Sequence, residues 1–71
     1  MNVLQKYLDQ NKISKYKVSK ISGISQMTLS HATEDNKPLS GQTVKVIAAV
    51  AKALDKSPGQ VLDDLFQLED N

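Results

Sequence analysis

A compact bundle of five short helices, with no strand, is the fold class that the sequence predicts, on three observations. Apolar residues recur at three- and four-residue spacing along nearly the whole chain, and no stretch alternates as a strand does. Each helical stretch opens on a residue suited to capping: Asn2, Ser14, Ser25, Ser40 or Ser57. The breaks between stretches are short and polar, or hold glycine or proline. Seventy-one residues make one domain spanning 1–71, near the size at which pairing of copies commonly adds buried surface.

The first helix starts at Asn2, with Gln5 as capping-box partner, and buries Val3, Leu4, Tyr7 and Leu8 until Asn11 and Lys12 break the pattern. Ser14 caps the second, about Lys15 to Ser22, which buries Val18 and Ile21; Ser25 caps the third, which runs from about Gln26 to Glu34. Ile13 with Val18, and Ile24 with Leu29, have the spacing of apolar staples that fix the entry angle of each helix. Gly23 lies between, where a residue at φ > 0 ends the second helix at little steric cost. Two helices joined by so short a glycine turn, here about 15–34 with a recognition helix at about 25–34, have the layout of a DNA-reading helix-turn-helix. Asp35 to Pro38 form a polar loop that a helix does not easily cross. Leu39-Ser40 with Val44 repeats the staple pattern and opens a fourth helix to about Asp55, apolar nearly all round and so suited to the centre of the bundle. Ser57, Pro58 and Gln60 supply cap, first-turn proline and capping-box partner for a fifth helix bearing Val61, Leu62, Leu65, Phe66 and Leu68.

The chain has no cysteine, so disulfides and thiolate metal sites are excluded, and its apolar runs are too short for a membrane span. The expectation is a cytoplasmic protein. Net charge is only +1, but it is unevenly spread. Residues 1–33 hold five lysines against one aspartate, a net +4, whereas residues 34–71 hold four lysines against seven carboxylates, a net −3. A basic half that coincides with the helix-turn-helix suits phosphates, although lysines that only solvate a helix give the same count.

At about 100° per residue, Gln26, Met27, Ser30, His31 and Glu34 fall within an arc of about 140° on the third helix, and Thr28, Leu29 and Ala32 fall opposite. Leu29 and Ala32 then pin the helix to the core while Gln26, Met27, Ser30 and His31 face outward to read base edges. Glutamine pairs with adenine N6 and N7, and methionine either packs on a thymine methyl or folds back as a core filler. The chain contains no arginine, which removes the commonest guanine contact and points to A·T pairs at the centre of the half-site. Lys15, Ser25, Lys37 and Ser40 are the candidates for phosphate contacts. His31 is the lone histidine, so no metal site and no cofactor are expected, and no paired carboxylates or glycine-rich phosphate loop support an enzyme.

The run V-S-K-I-S-G-I-S-Q-M-T-L-S, followed by P-L-S-G-Q-T-V and V-A-K-A-L-D-K-S-P-G-Q-V-L-D-D-L, resembles the XRE-type family of Cro and repressor helix-turn-helix proteins over nearly the whole chain. The resemblance implies a five-helix bundle that binds operator DNA as a dimer on related half-sites. It places Gln26, Met27 and His31 at base edges, Ser25 and Ser30 near bases or phosphates, and Lys15 at the backbone. Four departures stand out: Ser19 replaces a usual alanine at the helix crossing, Ala32 a larger apolar residue, Thr33 a frequent glutamate, and Asp35-Asn36 a glycine. Ser19 then needs a hydrogen-bond partner, and Asn36 tolerates φ > 0 better than most residues.

The function expected is therefore a double-stranded DNA-binding transcriptional regulator, a repressor acting by operator occupancy as a homodimer. Leu62, Phe66 and Leu68 either form the dimer surface or pack on the first and fourth helices. The competing expectation is a protein-interaction module, an antitoxin or adaptor with a regulatory protein partner and secondary or lost DNA binding.

Overall fold

The computed structural model describes residues 2–70. Its helices are α1 (Val3–Gln10), α2 (Lys15–Ser22), α3 (Gln26–Ala32), α4 (Val44–Leu54) and α5 (Pro58–Asp70), with a 3-10 turn at Leu39–Gly41, and there is no strand among the described residues. The bundle is built around α4, which packs against α2, α3 and α5, while α1 closes on α5. This is where its apolar circumference puts it: Val46, Ile47, Ala49, Val50 and Ala51 are all buried. Leu4, Leu8, Val18, Leu29, Val50, Val61 and Leu65 are wholly shut off from solvent. Truncating one of these leucines to alanine costs about 2–5 kcal/mol, much of what so small a fold has.

Side-chain caps open every helix. Asn2 Oδ1 accepts the Gln5 N–H at 3.0 Å, Ser14 Oγ that of Lys17 at 3.0 Å, Ser25 Oγ that of Thr28 at 3.1 Å and Ser57 Oγ that of Gln60 at 3.2 Å. The reciprocal arms of the capping boxes are absent, because Gln5 and Gln60 instead donate one turn onward, to Asp9 and Asp64. At α4 the expectation fails. Leu39 and Ser40 belong to the 3-10 turn, and Thr43 caps the helix by accepting the Val46 N–H at 3.3 Å. Leu39 is buried as an apolar plug, but its expected staple partner Val44 is 82% exposed, because the extra turn rotates the start of α4 away from the core. Ile21 is also exposed, at 42%, where burial was expected; with only eight residues, α2 buries Val18 alone.

Three helices end on a left-handed residue, and only one is glycine: Gly23 at φ 82° after α2, Lys12 at φ 54° after α1 and Asp55 at φ 58° after α4. At the last two, Ile13 N–H donates to Leu8 carbonyl at 3.1 Å and Lys56 N–H to Ala51 carbonyl at 2.9 Å, the six-to-one bond of a Schellman closure. An L side chain in that conformation costs about 1 kcal/mol.

A polar clasp ties α1 to α5. The Tyr7 hydroxyl donates to Asp64 Oδ2 at 2.7 Å, and Lys56 Nζ lies 3.2 Å from the same carboxylate and 3.3 Å from the phenol oxygen. The phenol hydrogen bond, with help from Lys56 and Gln60, holds the Asp64 carboxyl below the usual carboxylate range. Burial first, then Asp64, pushes the Tyr7 hydroxyl up, and hydrogen bonds with Tyr7 and then Asp64 push Lys56 up.

Two outcomes follow from the closures and the clasp. Asp55→Gly raises stability by about 1 kcal/mol in urea titration, since the φ is retained without the Cβ clash. The lowered Asp64 pKa contributes stability that is complete above the unfolded value and lost in acid; the raised Tyr7 and Lys56 values contribute stability that is lost in alkali. Thermal midpoints should therefore hold level in the middle range and fall below about pH 4 and above about pH 10, and Asp64→Asn should flatten the acid limb and also soften the alkaline one, because Asp64 helps to raise Tyr7 and Lys56.

Candidate nucleic-acid interface

The site is built on α3, a helix of seven residues whose two sides have opposite fates. Leu29 and Ala32 lie in the core, at 0% and 4% exposure, while Gln26, Met27, Ser30 and His31 are all exposed. Met27 at 73% exposure points outward, so the core-filling reading of this methionine does not hold. Thr28 differs from the sequence expectation as well. It is half-buried, its hydroxyl pairs with Ser25 Oγ at 2.7 Å, and it lines a groove with His31, Lys37, Gln42 and Thr43.

The angle of α3 is set at both ends. At its start the Gly23 turn is braced by a hydroxyl, since Ser19 Oγ donates to the Ile24 carbonyl at 2.5 Å. The serine that replaces alanine at the helix crossing thus finds its partner inside the turn. Ser22 Oγ donates back to Val18 carbonyl at 2.6 Å and accepts the Ile24 N–H at 3.3 Å.

The other end uses a device that sequence reasoning missed. Asn2 is 2% exposed, and its Nδ2 lies 3.0 Å from the Ala32 carbonyl, 2.9 Å from that of Glu34 and 3.0 Å from that of Lys37. Two hydrogens serve three acceptors, so one is shared. The Ala32 carbonyl also accepts from Gln42 Nε2 at 2.7 Å, and Thr33 Oγ1 donates to the Leu29 carbonyl at 2.9 Å. With its last carbonyls taken by side chains, α3 stops at Ala32, two residues short of the expected Glu34, and needs no left-handed residue to close. Asn36 accordingly does not adopt the positive φ for which it was a candidate. Nothing in the sequence marked Asn2 beyond its cap role, because its partners lie 30 to 35 residues away.

Of the phosphate candidates, Ser25 and Ser40 are exposed, and Lys15 and Lys37 are half-buried. Lys15 Nζ donates to Thr33 Oγ1 at 3.4 Å, which lays a cation along the carbonyl end of α3. Ser40 sits in the 3-10 turn, so Thr43 rather than Ser40 marks the N-terminus of α4. His31 Nδ1 is 2.8 Å from Glu34 Oε1, a pair of two exposed side chains. Tyr16, 59% exposed with Lys20 Nζ 5.9 Å from its ring centre, adds a flat cationic surface on α2 that the sequence reading passed over. Gln42 Oε1 is buried with no donor among the described residues. Those residues hold no group of three or more His, Cys, Asp or Glu side chains arranged for a metal ion, and no helix long and apolar enough to cross a membrane.

A family model described as Cro/C1-type HTH DNA-binding domain matches residues 3–67. No curated protein and no solved structure matches the chain.

Removing the Asn2 amide should loosen this end of the site. Asn2→Ala leaves a cap and several carbonyls without partners and is expected to cost about 2–3 kcal/mol in urea titration. Asn2→Asp should cost more, because it sets a carboxylate against three carbonyl oxygens.

Proposed function

Because the chain belongs to the family of Cro/C1-type helix-turn-helix DNA-binding domains, we propose that residues 1–71 form one domain that represses transcription by occupying an operator as a homodimer. The observation that carries this reading is the polarity of α3: Leu29 and Ala32 are sealed in the core, while Gln26, Met27, Ser30 and His31 stand free on the opposite face. A helix held so at both ends presents its N-terminal half to the major groove. Gln26 pairs with an adenine edge, Met27 packs on a thymine methyl, and Ser30 and His31 complete the base contacts. Lys15, Ser25, Lys37 and Ser40 meet the sugar-phosphate backbone around them. The protein acts without enzymatic chemistry, in the cytoplasm, where operator DNA is accessible.

Support for a dimer comes from α5 and the start of α4. Leu62 and Phe66 are 40% and 51% exposed and line a shallow apolar groove with Leu39, Val44, Ile47 and Pro58. A second copy that covers this groove doubles the number of base contacts, as a short recognition helix requires. Leu68 is half-buried against the core, so Val44 is a better member of this surface than Leu68. The same groove favours the other reading, an adaptor or antitoxin that docks a protein partner there.

Selection of duplexes from a random library decides between the two. The expected result is an A·T-centred, two-fold symmetric site, bound in a gel shift with affinity that falls steeply as salt rises. Gln26→Ala with His31→Ala should weaken that site about 10- to 100-fold while leaving the helical circular dichroism unchanged. Recovery of no enriched duplex would sink the operator reading and leave the protein-partner role.

A further inference from the structure

We propose that Glu34 is a positioning residue that fixes which ring nitrogen of His31 carries the proton, and thereby makes His31 a reader of amino-bearing bases. The inference rests on the DNA-reading role given above to α3 and adds a chemical rule to one of its contacts. His31 Nδ1 lies 2.8 Å from Glu34 Oε1, and both side chains are more than half exposed, so the pair forms on the face turned to solvent and not inside the core.

The rule follows from donor and acceptor counting. A carboxylate accepts hydrogen bonds and has none to give at neutral pH, so a bond at this distance requires the hydrogen to sit on Nδ1. A neutral imidazole has only one N–H, which leaves Nε2, on the far side of the ring from Glu34, as a bare lone pair. In the major groove the complement of a lone pair is an exocyclic amine, N6 of adenine or N4 of cytosine; guanine O6 and N7 and thymine O4 are acceptors and repel it. At the nucleotide that His31 meets, adenine and cytosine are therefore favoured over guanine and thymine.

The carboxylate is well placed to enforce this. Glu34 lies just beyond α3, where its carbonyl accepts from Asn2 Nδ2 at 2.9 Å and from Lys37 N–H at 3.0 Å, and its own N–H donates to the His31 carbonyl at 3.4 Å. Its backbone is thus held from both sides, so its side chain meets Nδ1 from a fixed origin. This also accounts for a carboxylate beside a surface that must approach phosphates. Glu34 weakens binding to every sequence through its charge, and in exchange it sets the polarity of one base contact. Lys37 lines the same groove as His31, but its ammonium makes no hydrogen bond to the ring among the described residues, and Nδ1 is taken by Glu34 Oε1.

The test compares duplexes selected by the wild-type chain, Glu34→Ala, Glu34→Gln and His31→Lys in mildly alkaline buffer, followed by titration of the four bases at the affected position. The wild type should prefer adenine or cytosine there by about fivefold, the scale of one hydrogen bond. Glu34→Ala should bind all duplexes more tightly and drop that preference below about twofold, because the ring is free to take either tautomer. Glu34→Gln, whose amide meets Nδ1 equally well as donor or acceptor, should lose the preference too. His31→Lys, a donor with no acceptor, should invert it toward guanine and thymine. If wild-type selection yields a site and the Glu34 variants keep the same base preference at every position, the inference is overturned while the DNA-reading role stands. If the wild type selects nothing, both fall. Circular dichroism identical to wild type confirms that the exposed substitutions leave the fold intact.

Discussion

The three-way grip of the Asn2 amide on the end of α3 is the interaction on which the arrangement of the site depends. Carbonyls at a helix C-terminus need partners, and α3 has neither glycine nor a left-handed residue after it to fold the chain back on them. Asn2 supplies donors from 30 to 35 residues earlier in the chain while its own oxygen caps α1, so one buried side chain joins the first helix to the last turn of the third. Gln42 and Thr33 take up what remains. The outcome is a short helix whose orientation owes little to its own propensity. Seven residues are far below the length at which a helix stands alone in water.

On the proposed DNA-reading role, that fixed placement matters because the contacts available to α3 are few. With no arginine in the chain, no side chain offers the two-pronged donor fork that reads guanine, and single or short-reach contacts must be aimed well to discriminate. Placement substitutes for strength. The Ser19 and Ser22 hydroxyls stiffen the turn before α3, the Asn2 amide stiffens the loop after it, and Leu29 fastens the middle. The Tyr7–Lys56–Asp64 clasp ties α1 to α5, the helix that carries Leu62 and Phe66 of the apolar groove.

Much of this was legible before any coordinates. Caps at Asn2, Ser14, Ser25 and Ser57, the stop at Gly23, the central place of α4 and the exposed face of Gln26, Met27, Ser30 and His31 all follow from side-chain chemistry acting within one or two turns. The start of the fourth helix is ambiguous in the sequence because Leu39-Ser40 and Thr43-Val44 both satisfy the local rule, and the choice between them depends on Leu39 filling the core. Ile21 and Val44 show the same limit in reverse: apolar periodicity marks a face, but whether a neighbour covers that face is not written in the helix that bears it.

What the sequence by itself determined is the helical class, most of the helix boundaries and the two sides of α3, since these depend on short-range hydrogen bonding and on the 3.6-residue period. Only the tertiary structure decided how the Asn2 amide ends α3, that Lys15 lies against it, and that the backbone of Glu34 is tied to Asn2. These depend on groups brought together across 18 to 35 residues of chain. A local pattern cannot encode the distance between groups that become neighbours only when the core closes.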